Sequence, residues 1–364
     1  MRGGVRGPCH SVPPGKVCEL TPIVHQLSLN ENHWPMLPGV HEAASTSLAS
    51  INLTGDALAA RLESRLAAEL GTIPGRVVAG AGSGALLQQF LAAHAGPGST
   101  VLHTWPSFDL YPLLIRNAGA EPVAVPDDPG GRQDLAAVAA AVSDRTRVVL
   151  VCNPNNPTGE VLGPDRLAAL LDALPPDVLV LVDEAYREFA DPDAIADAAE
   201  LAEVDRRVAA VRTFSKSHGL IGLRVGYLTG AEEVVAPLRR TTPFHRVPTV
   251  AQAAALAALD AGGRMRRQCR EVAAERDRVR RDLRGLGFDV PPSGGNYLWV
   301  RLGSRNQEFV DHLAAHGVAV REIAGAGVRV STGLPVANDA VLAAARGFAG
   351  QGDRSDGFAG EAVR

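Results

Sequence analysis

The sequence predicts an α/β protein in which a mostly parallel sheet lies between helices and a smaller α+β unit follows it. Three observations carry this. Seven strand-sized apolar stretches (77–79, 100–104, 121–125, 147–152, 178–182, 207–214 and 225–228) recur with helical stretches between them. Several of these stretches end in polar clusters, as expected where a parallel sheet presents its carboxyl edge to a ligand. From about residue 243 the texture changes to alanine-rich and Arg/Glu-dense helices (251–261 and 265–286) with short strands at 296–300 and 327–332. The domain expectation is a flexible arm at 1–26, a large domain at 27–242, a small domain at 243–349 and a disordered tail at 350–364.

Composition narrows the function. The chain has 364 residues, 46% hydrophobic content and a formal charge of -4, which is soluble-enzyme composition without the basic footprint of a nucleic-acid binder. Its longest apolar runs are strand-sized, far short of the roughly 20 residues that span a bilayer. The first twenty residues lack an apolar signal-peptide core, so a cytoplasmic location is expected, with no nucleic acid and no membrane as partner. Cys9, His10 and Cys18 have no second Cys/His pair at zinc spacing, and no metal is expected.

In chain order, Leu27 to Pro35 is a polar segment tipped by an aromatic, with Asn32 and Trp34 as candidates for lining a pocket. Leu58, Leu62, Leu66 and Leu70 are spaced as one helix face, and Gly71 supplies the stop. Gly82, Ser83 and Gly84 form a glycine turn between a strand and a helix, where bare amides favour an anion. The turn also fits a dinucleotide fingerprint. The next strand ends in Trp105-Pro106-Ser107-Phe108 without the acid that fingerprint needs, so a single phosphate is the better reading. Later strand ends carry Asn153-Pro154-Asn155-Asn156, then Asp183-Glu184-Ala185-Tyr186, then Thr213-Phe214-Ser215-Lys216 with Arg224 beyond. Arg329 sits inside a short strand, where a charge needs a reason. An ordinary lysine is protonated at neutral pH, so a nucleophilic Lys216 requires burial or cationic neighbours such as Arg224.

Together these clusters meet the needs of pyridoxal 5'-phosphate: amides, hydroxyls and an arginine for its phosphate, a lysine for its aldehyde and a carboxylate for its ring nitrogen. The stretches NPNNPTG, DEAYREF, and TFSK followed by GLIGLRVGY resemble the fold type I aminotransferases. Within them the chain is most similar to the histidinol-phosphate aminotransferase-like branch and its actinobacterial histidinol-phosphate or aromatic members. The likeness runs from about Leu27 to about Ala345. It implies Lys216 as covalent anchor and proton carrier, Asp183 at the ring nitrogen, and Asn156 and Tyr186 at the ring 3'-oxygen. It further implies Phe108 as the stacking aromatic, with Gly82, Ser83, Gly84, Thr213, Ser215 and Arg224 at the phosphate. Asn32, Trp34, Asn156 and Arg329 are implied on the substrate side, Arg329 gripping the α-carboxylate.

The resemblance also implies a homodimer that moves an amino group from a small-molecule amino donor (histidinol phosphate or an aromatic amino acid) to a keto-acid acceptor, 2-oxoglutarate. Four residues depart from the family pattern: Thr54 where a tyrosine is usual, His33 and Trp34 where a proline commonly follows NEN, and His218 in place of an aromatic. They leave open a decarboxylase, or an oxidase or cyclase of specialised metabolism, with the same cofactor. A non-enzymatic regulator is disfavoured, since no helix-turn-helix length precedes residue 27.

Overall fold

The computed structural model describes residues 23–323 and 325–355, so the arm's first 22 residues, with Cys9, His10 and Cys18, and the tail beyond 355 lie outside the described part. Seven strands form the large sheet: β2 (Val77–Gly80), β3 (Thr100–Trp105), β4 (Glu121–Pro126), β5 (Thr146–Cys152), β6 (Leu179–Asp183), β7 (Val208–Thr213) and β8 (Gly226–Gly230). Their order is β2-β8-β7-β6-β5-β3-β4. Six strands are co-directional and β8 runs antiparallel to both its neighbours. The fold is thus α/β with a mostly parallel seven-stranded sheet, as expected from the sequence.

Strand alternation sorts the side chains into two layers. Val148, Leu150, Cys152 and Leu181 face one helical layer together with Phe90 and Tyr111, while Val149, Val151, Val180 and Val182 face the other. Side chains on both faces are covered, which is why these strands read as continuous apolar runs rather than as alternating ones.

A second sheet contains β9 (Tyr297–Val300), β11 (Arg321–Ile323) and β12 (Gly327–Ser331) in the order β11-β12-β9, all antiparallel. The two-residue strand β1 (His25–Gln26) pairs with β10 (Val318–Ala319) beside it. Packing crosses the expected boundary at 242/243. Leu27 packs with Val279, Leu298 and Phe348 in the core of the smaller unit, whereas Ala251, Ala254, Met265 and Cys269 pack with Val77 and Phe214 against the large sheet. The helix Gly262–Gly285 therefore serves both cores, because one long helix presents successive turns to different neighbours. At the other end the helix Pro335–Ser355 runs past the expected start of the tail at 350. Once a helix is nucleated each further residue adds a hydrogen bond, and Gly350 and Gly352 do not stop it.

Candidate active site

The carboxyl ends of β3, β5, β6 and β7 surround a cavity of about 260 Å³. Its walls include Ser83, Gly84, Phe108, Cys152, Asn156, Asp183, Tyr186, Thr213, Ser215, Lys216 and Arg224. Residues from six separate stretches meet here because parallel strands all deliver their C-terminal ends to one edge.

At one end the helix Ser83–His94 begins, with Gly82 as its N-cap at φ 87. Only glycine holds that backbone comfortably, and a methyl there would also collide with the Arg224 guanidinium. Arg224 itself adopts the left-handed region at φ 53, and its Nη1 donates to Ser215 Oγ at 3.3 Å and to the Ile221 carbonyl at 2.9 Å. Thr213 Oγ1 donates to Ser215 Oγ at 2.9 Å. Open amides, two hydroxyls and a guanidinium make this end a receptor for an anion.

The same cavity holds Asp183. Cys152 and Asp183 are register partners on β5 and β6, and alternation turns Asp183 toward the cavity and Glu184 to the far face. There Glu184 Oε2 accepts from Arg212 Nε at 2.7 Å, so the acid next to Asp183 is spent on structure. Asp183 accepts from the Tyr111 hydroxyl at 3.2 Å and from the Ala185 amide at 3.2 Å. Burial pushes its carboxyl up to about 6, against the lowering effect of these two donors.

Lys216 enters from the end of β7. Its Nζ donates to the carbonyls of Asn30 at 3.0 Å and Leu29 at 3.2 Å and lies 5.7 Å from the centre of the Tyr186 ring. Burial, helped by Arg329 and Arg224 and opposed by Glu31, holds its amine down at about 8. In cofactor-free protein a small amine-directed reagent should therefore modify Lys216 with a midpoint near pH 8, followed by peptide mass analysis. A midpoint at the ordinary value of 10.5 would show a solvated lysine.

Arg329 stands behind the cavity wall rather than in it. Its Nη1 donates to Asn156 Oδ1 and its Nη2 to the Ser28 carbonyl, both at 2.6 Å, while buried Nε has no partner among the described residues. Asn32 also acts from behind, its Nδ2 donating to the Lys216 carbonyl at 3.0 Å. Trp34 packs against the core cluster that contains Leu37, Val40 and Phe214, and is not a wall of the cavity. Of the three asparagines in the turn, Asn153 and Asn155 bond the backbone of Leu162 and Pro106 and only Asn156 faces the cavity. His218 is buried against Phe214, where burial lowers it to about 4, and Thr54 is exposed.

Sequence reasoning missed Asn30, and it marked Tyr111, with Trp105 and Phe108, only as an aromatic past a strand end that could stack on a planar ring, not as a partner of Asp183. Asn30 has a left-handed backbone at φ 53, donates from Nδ2 to the Tyr186 hydroxyl at 3.0 Å and accepts from Ser331 Oγ at 2.9 Å. Its partners are 156 and 301 residues away, so no local signal marks it.

The family model described as aminotransferase class I and II matches residues 22–345. The chain belongs to the class I and II aminotransferases. An aromatic amino acid aminotransferase of Streptomyces coelicolor is 42% identical over 336 residues, covering 92% of this chain and 94% of its own. One from Thermobifida fusca is 45% identical over 323 residues, 89% and 90% of the two chains. A histidinol-phosphate aminotransferase of Sinorhizobium meliloti, solved with pyridoxal-5'-phosphate, superposes with a TM-score of 0.84 at 27% identity, covering 90% and 91%. This aminotransferase is an enzyme that depends on pyridoxal phosphate. The cavity fits that group: it brings an anion receptor, a buried carboxylate and an amine together in one space. No helix among the described residues is long and apolar enough to cross a membrane.

Proposed function

We propose that the enzyme transfers the amino group of an aromatic amino acid to 2-oxoglutarate. The observation that carries this reading is the single cavity into which Lys216, Asp183, Phe108 and Arg224 all project. The aromatic preference is supported by the names of the relatives at 42% and 45% identity and by apolar Leu110, Ile221 and Ala185 among the walls.

Pyridoxal phosphate, when bound, supplies an aldehyde carbon and an electron-withdrawing ring that stabilises charge at the substrate Cα. In this reading Ser83, Gly84, Thr213, Ser215 and Arg224 would hold its phosphate, Phe108 its ring face, Asp183 its ring nitrogen, and Asn156 and Tyr186 its 3'-oxygen. Lys216 would hold the aldehyde and, as a free amine, would move the proton at the substrate Cα. An amine held near 8 has a substantial neutral fraction at physiological pH, which an ordinary lysine lacks. Arg329, which stands behind the Asn156 wall, would offer the α-carboxylate the N–H groups that Asn156 and the Ser28 carbonyl leave open. Asn32 fixes the Lys216 backbone, and Trp34 holds the segment that carries Asn32.

A homodimer in the cytoplasm belongs to the same proposal. Leu48, Ile51, Leu53 and Leu58 are exposed in the segment around Thr54, an apolar surface that a second copy would cover.

A donor screen tests the function. Phenylalanine or tyrosine with 2-oxoglutarate should give the aromatic keto acid and glutamate in equal amounts, with histidinol phosphate a markedly poorer donor. Release of carbon dioxide or peroxide without a keto acid would overturn the reading in favour of a decarboxylase or oxidase. Preference for histidinol phosphate would overturn its substrate assignment.

A further inference from the structure

Asp183 is supported by a side chain that does not line the cavity. Alternation along β6 puts Asp183 on the same face as Leu181, and Cys152 of β5 lies beside it in register. That face receives Tyr111, the first residue of the helix Tyr111–Asn117, which is completely buried. Its hydroxyl donates to Asp183 Oδ2 at 3.2 Å. Its ring meets Phe108 edge-on at 5.4 Å and 85°, and meets His103 at 5.9 Å and 63°. One buried phenol thus touches both the carboxylate and the aromatic wall of the cavity.

We propose that Tyr111 is a positioning residue for the reaction: its hydroxyl keeps the Asp183 carboxylate ionised and aimed at the ring nitrogen of the cofactor. This rests on the reading that Asp183 faces that nitrogen. The ionisable groups around Asp183 are Tyr111, Cys152, Tyr186 and Tyr297, together with Glu184, which is next in the chain but turned to the opposite face. Among the described residues only the Tyr111 hydroxyl and the Ala185 amide donate to it, one to each oxygen. Burial raises the ionisation of Tyr111 well above its ordinary range, so the hydroxyl stays a donor at every working pH. Removing it leaves Oδ2 without a donor from the protein and makes the carboxylate more basic. The proton shared with the ring nitrogen then moves toward the oxygen, and a neutral ring draws off less charge from Cα.

The test uses holoenzyme carrying cofactor labelled at the ring nitrogen, whose NMR shift reports protonation. Tyr111→Phe keeps the ring and its two aromatic edges. It should move the nitrogen signal part of the way toward the neutral value and lower kcat about tenfold, the size of one hydrogen bond to a charged group, with KM little changed. Asp183→Asn should move the signal further, and adding Tyr111→Phe to it should change nothing more. A ring-fluorinated tyrosine at position 111, a stronger donor of nearly the same shape, should shift the signal the opposite way and serves even if the phenylalanine variant folds poorly. Wild-type signal and kcat in Tyr111→Phe, or no response to the fluorinated residue, would overturn the proposal. A wild-type signal in Asp183→Asn would instead remove Asp183 from the ring nitrogen.

Discussion

Replacing Lys216 by alanine should abolish the visible absorbance of lysine-linked cofactor and lower kcat by about 10⁴-fold or more, because in the proposed mechanism one side chain supplies both the anchor and the moving proton. The protein should remain folded. The lysine gives up only hydrogen bonds to the Leu29 and Asn30 carbonyls, and its removal takes a partly buried cation out of the site. The same substitution gives a pH signature in cofactor-free protein. The amine has a folded value of about 8 against an ordinary 10.5, so between those values the unfolded chain binds more protons than the folded one. Wild-type stability should therefore rise with pH through that window relative to Lys216→Ala, measured by urea unfolding. An alanine variant that retains an unchanged, borohydride-trappable absorbance would remove Lys216 from the anchor position.

What the sequence made legible was the set of residues that share a strand end, because parallel strands deposit their C-terminal residues at one edge whatever the details of packing. Ser83, Asn156, Asp183, Thr213 and Lys216 line one cavity for that reason. Residues whose neighbours are set by other elements were not legible. Trp34 sits in an aromatic-tipped loop but turns into a core built partly from the helices Ala60–Leu70 and Thr249–Asp260. Asn30 and Tyr111 acquire their partners only when β12 and β6 arrive from far along the chain. His218 departs from the family pattern in sequence, yet its buried position against Phe214 makes the change one of packing. The two-core helix Gly262–Gly285 is a single amphipathic run, and nothing in its spacing marks where one core ends and the other begins.

Arg329→Ala should lower kcat/KM for the amino acid by roughly 30- to 1000-fold, corresponding to about 2–4 kcal/mol for losing a buried charge-assisted contact, and mostly through KM. The guanidinium is already oriented: Asn156 and the Ser28 carbonyl each take one terminal nitrogen at 2.6 Å, leaving Nε free among the described residues. A carboxylate arriving there meets a fork whose entropy has been spent in folding. Arg329→Lys should not restore the activity, since an ammonium cannot reproduce the planar pair of donors. The discriminating comparison is the matching amine without a carboxylate, followed as a single half-reaction. If Arg329 reads the carboxylate, its loss leaves the rate with that amine nearly unchanged while the amino acid falls toward it. If both substrates slow equally, Arg329 serves to hold Asn156, and the carboxylate is bound elsewhere.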